Sequence, residues 1–217
     1  MDAQDTSPAP LRRRRQQRSI DTRLKIVKAA LSEFAKYGFD GASTRGISQA
    51  ADVPHSLVIH HFKSKFDLWH ATVTETASWY LGRVFLPEGG AGMTPSARLK
   101  HYFAEYIRFS AEHPDWFRMI TQENTLRSER LAWLVEHHVG QTVQRTTQMI
   151  AAAQEEGAFV DGDPLQLLYL FVGAATGPYR SSAEIELLTG HSPNEPNMVE
   201  EHIQTCERLF FREPVKN

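Results

Sequence analysis

Apolar residues recur at steps of three and four along most of this chain, the spacing of one face of an α-helix. Leu24, Val27, Leu31 and Phe34 form one such stripe, and Trp69, Val73, Thr76, Tyr80 and Val84 form another. Leu99, Tyr102, Tyr106 and Phe109 continue the pattern until His113-Pro114 breaks it. A long helix is marked by Leu131, Leu134, His138, Thr142, Arg145, Met149 and Ala152, and it closes at Gly157. The last helix carries Val199, Ile203, Cys206 and Phe210 on a single stripe. No segment alternates with period two and no internal repeat is visible. The pattern predicts an all-α fold of about nine helices with short connections.

Capping residues divide this pattern. Gly38 suits a left-handed helix end, and Thr44 stands where an N-cap should open a short helix through Ala51. Pro54 opens the next, over residues 55–62. Ser64 followed by Asp67 reads as a capping box for a fourth helix ending near Leu86-Pro87. Residues 87–95 read as a loop, Thr94-Pro95 and Asp163-Pro164 as helix starts, and Gly177-Pro178 as a kink or break.

The stretch "VPHSLVIHHFKSK" at residues 53–65 mixes apolar, imidazole and cationic groups. The helices around it hold about eight residues each, too few to stand alone, so they need a third. Ile47, Ala51, Val53, Val58 and Phe62 can face the helix of Leu24 and Phe34, closing a three-helix unit. His55, Ser56, Leu57, Ile59, His60 and His61 then include the positions left outward or on the flank. Such a face can enter a major groove, with Leu57 or Ile59 against thymine methyls and the polar groups on base edges or phosphates. Arg45, Lys63 and Lys65 put cations beside it.

Charge supports this division. The net charge of −2 conceals twelve Lys and Arg against seven Asp and Glu in residues 1–70, and twelve against nineteen in residues 71–217. A basic third joined to an acidic remainder points to a polyanion meeting only the first part. Residues 1–19 read as a disordered basic arm; its run Arg12, Arg13, Arg14 and Arg15 is either a solvated tail or a set of phosphate or minor-groove contacts. No apolar run is long enough to span a bilayer, and Cys206, the single cysteine, allows no intrachain disulfide. A cytoplasmic protein without membrane partners is expected.

Enzyme chemistry is not signalled. His60-His61 and His137-His138 are adjacent pairs pointing about 100° apart on a helix, so neither chelates a metal as i,i+4 residues do. With no HExxH or CxxC pattern, no metal or cofactor is expected. Glu123 with His137 or His138 is the one acid–base pairing an all-α enzyme could use. A ligand-independent nucleoid-type DNA binder is the other alternative.

The segment "RLKIVKAALSEFAKYGFDGASTRGISQAADVPHSLVIHHFKSKFDLWHAT" resembles the N-terminal domain of the tetracycline-repressor (TetR) family of transcriptional regulators. "HPDWFRMITQENT", "EEGAFVDGDP" and "ELLTGHSP" are similar to the family's ligand-binding domains. The resemblance implies a helix-turn-helix domain over residues 20–66 and a ligand-binding and dimerisation domain over residues 67–217. It implies DNA contacts from Thr44, Arg45, Pro54, His55, Ser56 and Leu57. Ile59, His60 and His61 stand at the family's aromatic-aromatic-His positions, and Lys65 at its phosphate-binding lysine. Asp52 replaces the family's common turn glycine, where Asp can tolerate a left-handed conformation at some cost. An effector cavity is implied among helices carrying Tyr102, Phe103, Tyr106, Trp116, Trp133, Tyr169 and Phe171, with Glu123, Asn124, Arg127 and His137 as polar neighbours. The last helices would form a homodimer interface through Val172, Ala175, Val199, Ile203, Cys206 and Phe210. The expected function is a dimeric regulator, most simply a repressor released from a pseudo-palindromic double-stranded operator by a small-molecule effector.

Overall fold

The computed structural model describes residues 9–85, 92–125 and 127–212, the side chains of residues 9–12 and 15 excepted. The expected helix end at Leu86-Pro87, residues 1–8 of the arm and most of the expected 87–95 loop lie outside the described residues. The chain forms two compact units, Met1–Glu75 and Thr76–Asn217. The described residues form eleven α-helical segments, of which two join through a π turn into one rod. Among the described residues there is no β-strand, only a single antiparallel bridge between Phe159 and Phe211.

In the first unit, α1 (Ala9–Gly41), α2 (Thr44–Ala50) and α3 (His55–His61) pack as a three-helix cluster, followed by the start of α4 (Lys65–Val84). The buried stripe of α1 is Ile26, Val27, Ala30 and Phe34, whereas Leu24 of the expected stripe is 40% exposed. Ile47, Ala51, Val58 and Phe62 close the core as expected. Residues 9–19 continue α1 rather than forming an irregular arm. Arg and Gln are good helix formers, and Gln17 Nε2 donates to Asp21 Oδ1 at 2.8 Å one turn on. Gly38 interrupts α1 with φ 70° and ψ 173°, a region that is essentially glycine-only.

The cap of α2 is Ser43, one residue before the expected Thr44: Ser43 Oγ accepts from the Gly46 N–H at 3.0 Å. Thr44 is thereby released for a contact described below. Between α2 and α3, Asp52 takes φ 46°, the only positive φ of a non-glycine among the described residues. Its carbonyl accepts from Lys25 Nζ at 3.3 Å, a contact that does not need the aspartate side chain. Because a left-handed L-residue costs roughly 1–2 kcal/mol, less for Asp, Asp52→Gly is expected to stabilise the unit by about 0.5–1 kcal/mol. Urea unfolding would register this as a raised midpoint with unchanged slope; a lowered midpoint would show that the Lys25–Asp52 ion pair matters more than the turn strain.

In the second unit, α5 (Pro95–Glu112) packs on α8 (Gly140–Glu155), α9 (Pro164–Arg180) and α11 (Pro196–Phe210). α6 (Pro114–Asn124) and α7 (Glu129–Leu134) lie alongside, and α10 (Ser182–Thr189) follows α9. Thr94 and Asp163 cap α5 and α9 as expected, accepting from the N–H groups of Ala97 and Gln166. At the centre Phe103 stacks on Phe171 with ring centroids 3.4 Å apart. Phe159, Phe210 and Phe211 meet the same ring edge-on at 5.6–5.8 Å. Arg83, at the end of α4, pairs with Glu105 and Glu112 of α5, and Arg108 links Glu105 to Glu200 of α11.

α9 does not break at Gly177-Pro178 but runs on to Arg180. A proline inside a helix leaves the carbonyl four residues earlier without its donor, here that of Ala174. His202 of α11 supplies the replacement, with Nε2 3.1 Å from Ala174 O. Burial holds the His202 pKa below its ordinary value, so the neutral ring donates from Nε2.

The expected dimer residues need correction. Ala175, Val199, Ile203, Cys206 and Phe210 are buried within their own chain, and Val172 is half-buried. The stripe of α11 is consumed by α5 and α9. The apolar residues left outward are Leu165, Tyr169 and Leu170 on α9, Leu209 on α11, and on α10 Leu187 and Leu188, 89% and 77% exposed.

Candidate nucleic-acid interface and ligand cavity

α3 buries Val58 alone among its seven residues, with Phe62 seated beneath its C-terminus. Pro54, Ser56, Leu57, Ile59 and His60 are exposed, and His55 and His61 are half-buried. Thr44 Oγ1 lies 3.0 Å from His55 Nε2, so the first turn of α2 fixes the imidazole at the start of α3. Arg45, next along α2, is exposed. His60 and His61 rings meet edge-on with centroids 5.5 Å apart. Burial, then the neighbouring His60 and Arg23, lowers the His61 pKa.

Lys65 is tied into the fold. Its Nζ donates to Ala42 O at 3.1 Å and Asp40 O at 3.4 Å, and it sits over the Phe39 ring at 4.5 Å. A phosphate contact from Lys65 would therefore come from a cation already held in place, rather than from a free side chain. Lys63 is exposed beside it. Of the arginine run, Arg13 and Arg14 are exposed near the start of α1, while the side chains of Arg12 and Arg15 lie outside the described residues.

The second unit holds a cavity of about 350 Å³. Its walls come from the end of α4 (Ala77, Tyr80, Leu81), α5 (Tyr102, Tyr106) and α6 (Trp116, Phe117, Ile120, Thr121, Asn124). The rod from α7 to α8 adds Leu134, His138, Val139, Thr142 and Val143; α9 adds Leu168, Tyr169, Val172, Gly173, Thr176 and Arg180. Tyr102, Tyr106 and Tyr169, candidates from the sequence, are among these wall residues. Glu123, Arg127, Trp133 and His137 do not line it. Glu123 instead forms a buried ion pair with Arg130 Nε at 3.0–3.1 Å. His137 lies outside, its Nδ1 2.9 Å from Trp133 O and its ring stacked on the indole at 4.8 Å.

The rod departs from regular α-helix where these two histidines lie. Residues Val135–Val139 form a π turn, and the Gly140 N–H bonds back to Val135 O, five residues earlier. A Cβ on Gly140 would stand 2.9 Å from that oxygen, so the absent side chain is what permits the turn. Leu134, His138 and Thr142, spaced four apart, stand together on the cavity side. That triplet lay on the long helix's own apolar stripe, which was the available signal.

Buried hydroxyls give the cavity its polarity. Tyr80 and Tyr102 oxygens are 3.0 Å apart, and Tyr102 is also hydrogen-bonded to Thr146. Burial raises the pKa of Tyr80, Tyr102 and Tyr106, keeping these phenols neutral. Thr142 and Thr176 donate to the carbonyls of His138 and Val172, so only their oxygen lone pairs remain to offer. No group of metal-ligating side chains was found among the described residues, and no described helix is long and apolar enough to cross a membrane.

Comparison with known proteins places both units. Residues 26–72 match the family of bacterial regulatory proteins of the tetR type, and residues 95–208 match the tetracyclin repressor-like C-terminal domain. The HTH-type transcriptional regulator RutR of Escherichia coli K12 is 22% identical over 187 residues, covering 86% of this chain and 87% of RutR. The ketosteroid transcriptional regulator KstR2 of Mycobacterium tuberculosis superposes with a TM-score of 0.69 at 17% identity, over 88% of this chain and 95% of that one. AibR, solved with isovaleryl coenzyme A and operator DNA, gives 0.67 at 17%, over 86% and 98%. At such identities the two structures establish the fold. With family matches spanning both its helix-turn-helix and its cavity-bearing unit, the chain belongs to the TetR family of transcriptional regulators.

Proposed function

We propose that this regulator works as a homodimer that represses transcription from a pseudo-palindromic operator and releases it when a small-molecule effector fills the 350 Å³ cavity. The observation that carries the reading is the outer surface of α3, where Ser56, Leu57, Ile59 and His60 are exposed above a single buried residue, Val58. Thr44, Arg45, Pro54, His55, His61 and Lys65 complete the DNA contact set. The dimer face is the outward apolar surface of Leu165, Tyr169, Leu170, Leu187, Leu188 and Leu209. A twofold dimer sets its recognition helices roughly 34–36 Å apart, one turn of DNA.

Coupling runs through α4, which carries Trp69 in the first unit and the cavity residue Tyr80 in the second. An effector stabilising one setting of α4 lowers operator affinity, and DNA lowers effector affinity by the same factor. The deciding experiment is a selection of sheared genomic DNA by the purified protein near physiological salt. Recovery of a recurrent pseudo-palindrome is expected. Diffuse recovery with no shared motif would refute the operator reading in favour of a nucleoid-type binder.

A further inference from the structure

Charge around the cavity narrows the chemistry of its occupant, granted the effector reading above. The main cavity adjoins a smaller one of about 160 Å³ between α5, α6 and α9. Phe117, Thr121, Thr176 and Arg180 belong to both walls, which places Arg180 at the junction. The main chamber is lined chiefly by aromatic and aliphatic groups and contains one charged residue, Arg180. The annex adds a second guanidinium, Arg118, together with Ser110 and Gln122. Among the described residues, neither wall contains an aspartate or glutamate.

The two arginines differ in one respect. Arg118 is paired with Asp115 at 3.0 Å, whereas no carboxylate pairs with Arg180 among the described residues. Arg180 also ends α9, where a cation opposes the helix dipole, so a surface role alone would explain its presence there. A surface role does not explain its place at the meeting point of an apolar chamber and a polar annex. An ion entering such a cavity without an opposite charge is strongly penalised. A guanidinium, by contrast, receives a carboxylate through two parallel charge-assisted hydrogen bonds.

We infer that the effector is an amphipathic organic acid, its apolar body packed in the main chamber and its anionic group held by Arg180 at the mouth of the annex. Amines are disfavoured, because the described wall offers a cation aromatic faces and neutral oxygens but no carboxylate, and the field of Arg180 opposes it. Neutral amides of the same shape keep the apolar contacts and lose the ionic one.

The test uses 4-phenylbutanoate and octanoate as probes, each beside its primary amide and primary amine, titrated calorimetrically into the full-length protein. Both acids should bind about tenfold or more tighter than their amides, and the amines should not bind. Arg180→Gln should remove the acid-over-amide preference, with Tm lowered by no more than a few degrees through loss of the helix-end charge, and Arg180→Lys should restore part of the preference. Amides that bind as well as acids, or an acid preference that survives in Arg180→Gln, would overturn the charge assignment and leave the cavity reading intact. If none of the six compounds binds the native protein, the effector-cavity reading falls with it.

Discussion

Ser56→Glu is expected to weaken operator binding by about a hundredfold or more while leaving Tm within a degree or two of the native protein. Ser56 is exposed on α3, flanked by the equally exposed Leu57 and by His55, which Thr44 fixes. A glutamate there displaces no core atom, so folding has no reason to change. In the complex the carboxylate would face the phosphate-lined groove, where like-charge juxtaposition costs several kcal/mol. Fluorescence anisotropy with the selected operator measures the loss, and a parallel titration with Ser56→Ala separates charge from shape. Ser56→Glu binding as tightly as the native protein would mean that α3 does not enter the groove. The same substitution at Val58 would be uninformative, because that side chain is fully buried and the unit would unfold.

Phe103→Ala is expected to cost about 3–5 kcal/mol of stability in the cavity-bearing unit, the range for truncating a fully buried aromatic. Phe103 is 1% exposed and stands at the meeting point of α5, α9 and the end of α11. Its ring stacks on Phe171 and takes the edges of Phe159, Phe210 and Phe211, so one truncation strips contacts from four neighbours. The Phe159–Phe211 bridge, with Val160 N–H donating to Phe210 O at 2.9 Å, holds two of those rings by their backbone and limits their collapse into the void. The cost should therefore fall toward the upper end. Guanidinium unfolding followed by tryptophan emission reads it; a loss under 1 kcal/mol would show that the cluster repacks freely. Phe103→Leu, which retains most of the volume, should recover the greater part.

Local chemistry made much of the fold readable. Thr94-Pro95 predicted the cap of α5, and Asp163-Pro164 the cap of α9. Both are contacts between neighbours in sequence, decided by the geometry of one or two dihedrals. Ser43 and Thr44 are both competent caps, and choosing between them required the His55 ring that engages Thr44 from eleven residues away. Gly177-Pro178 reads as a kink or break because His202, which satisfies the Ala174 carbonyl, lies on another helix and leaves no local trace.

The sequence by itself determined the all-α class, the helix-turn-helix and which residues of α3 stand outward, because helical period and caps act over a few residues. Only the tertiary structure decided what covers each apolar stripe. The stripe of Val199, Ile203, Cys206 and Phe210 has the same period whether a second chain or α5 and α9 covers it, and here its own chain does. The cavity likewise exists only where α4, α5, α6, the α7–α8 rod and α9 meet, so Tyr80, Tyr106, Trp116, His138 and Val172 share a wall that no local pattern announces. Periodicity specifies the angle at which a side chain leaves its helix; the element waiting at that angle is settled by packing across the whole unit.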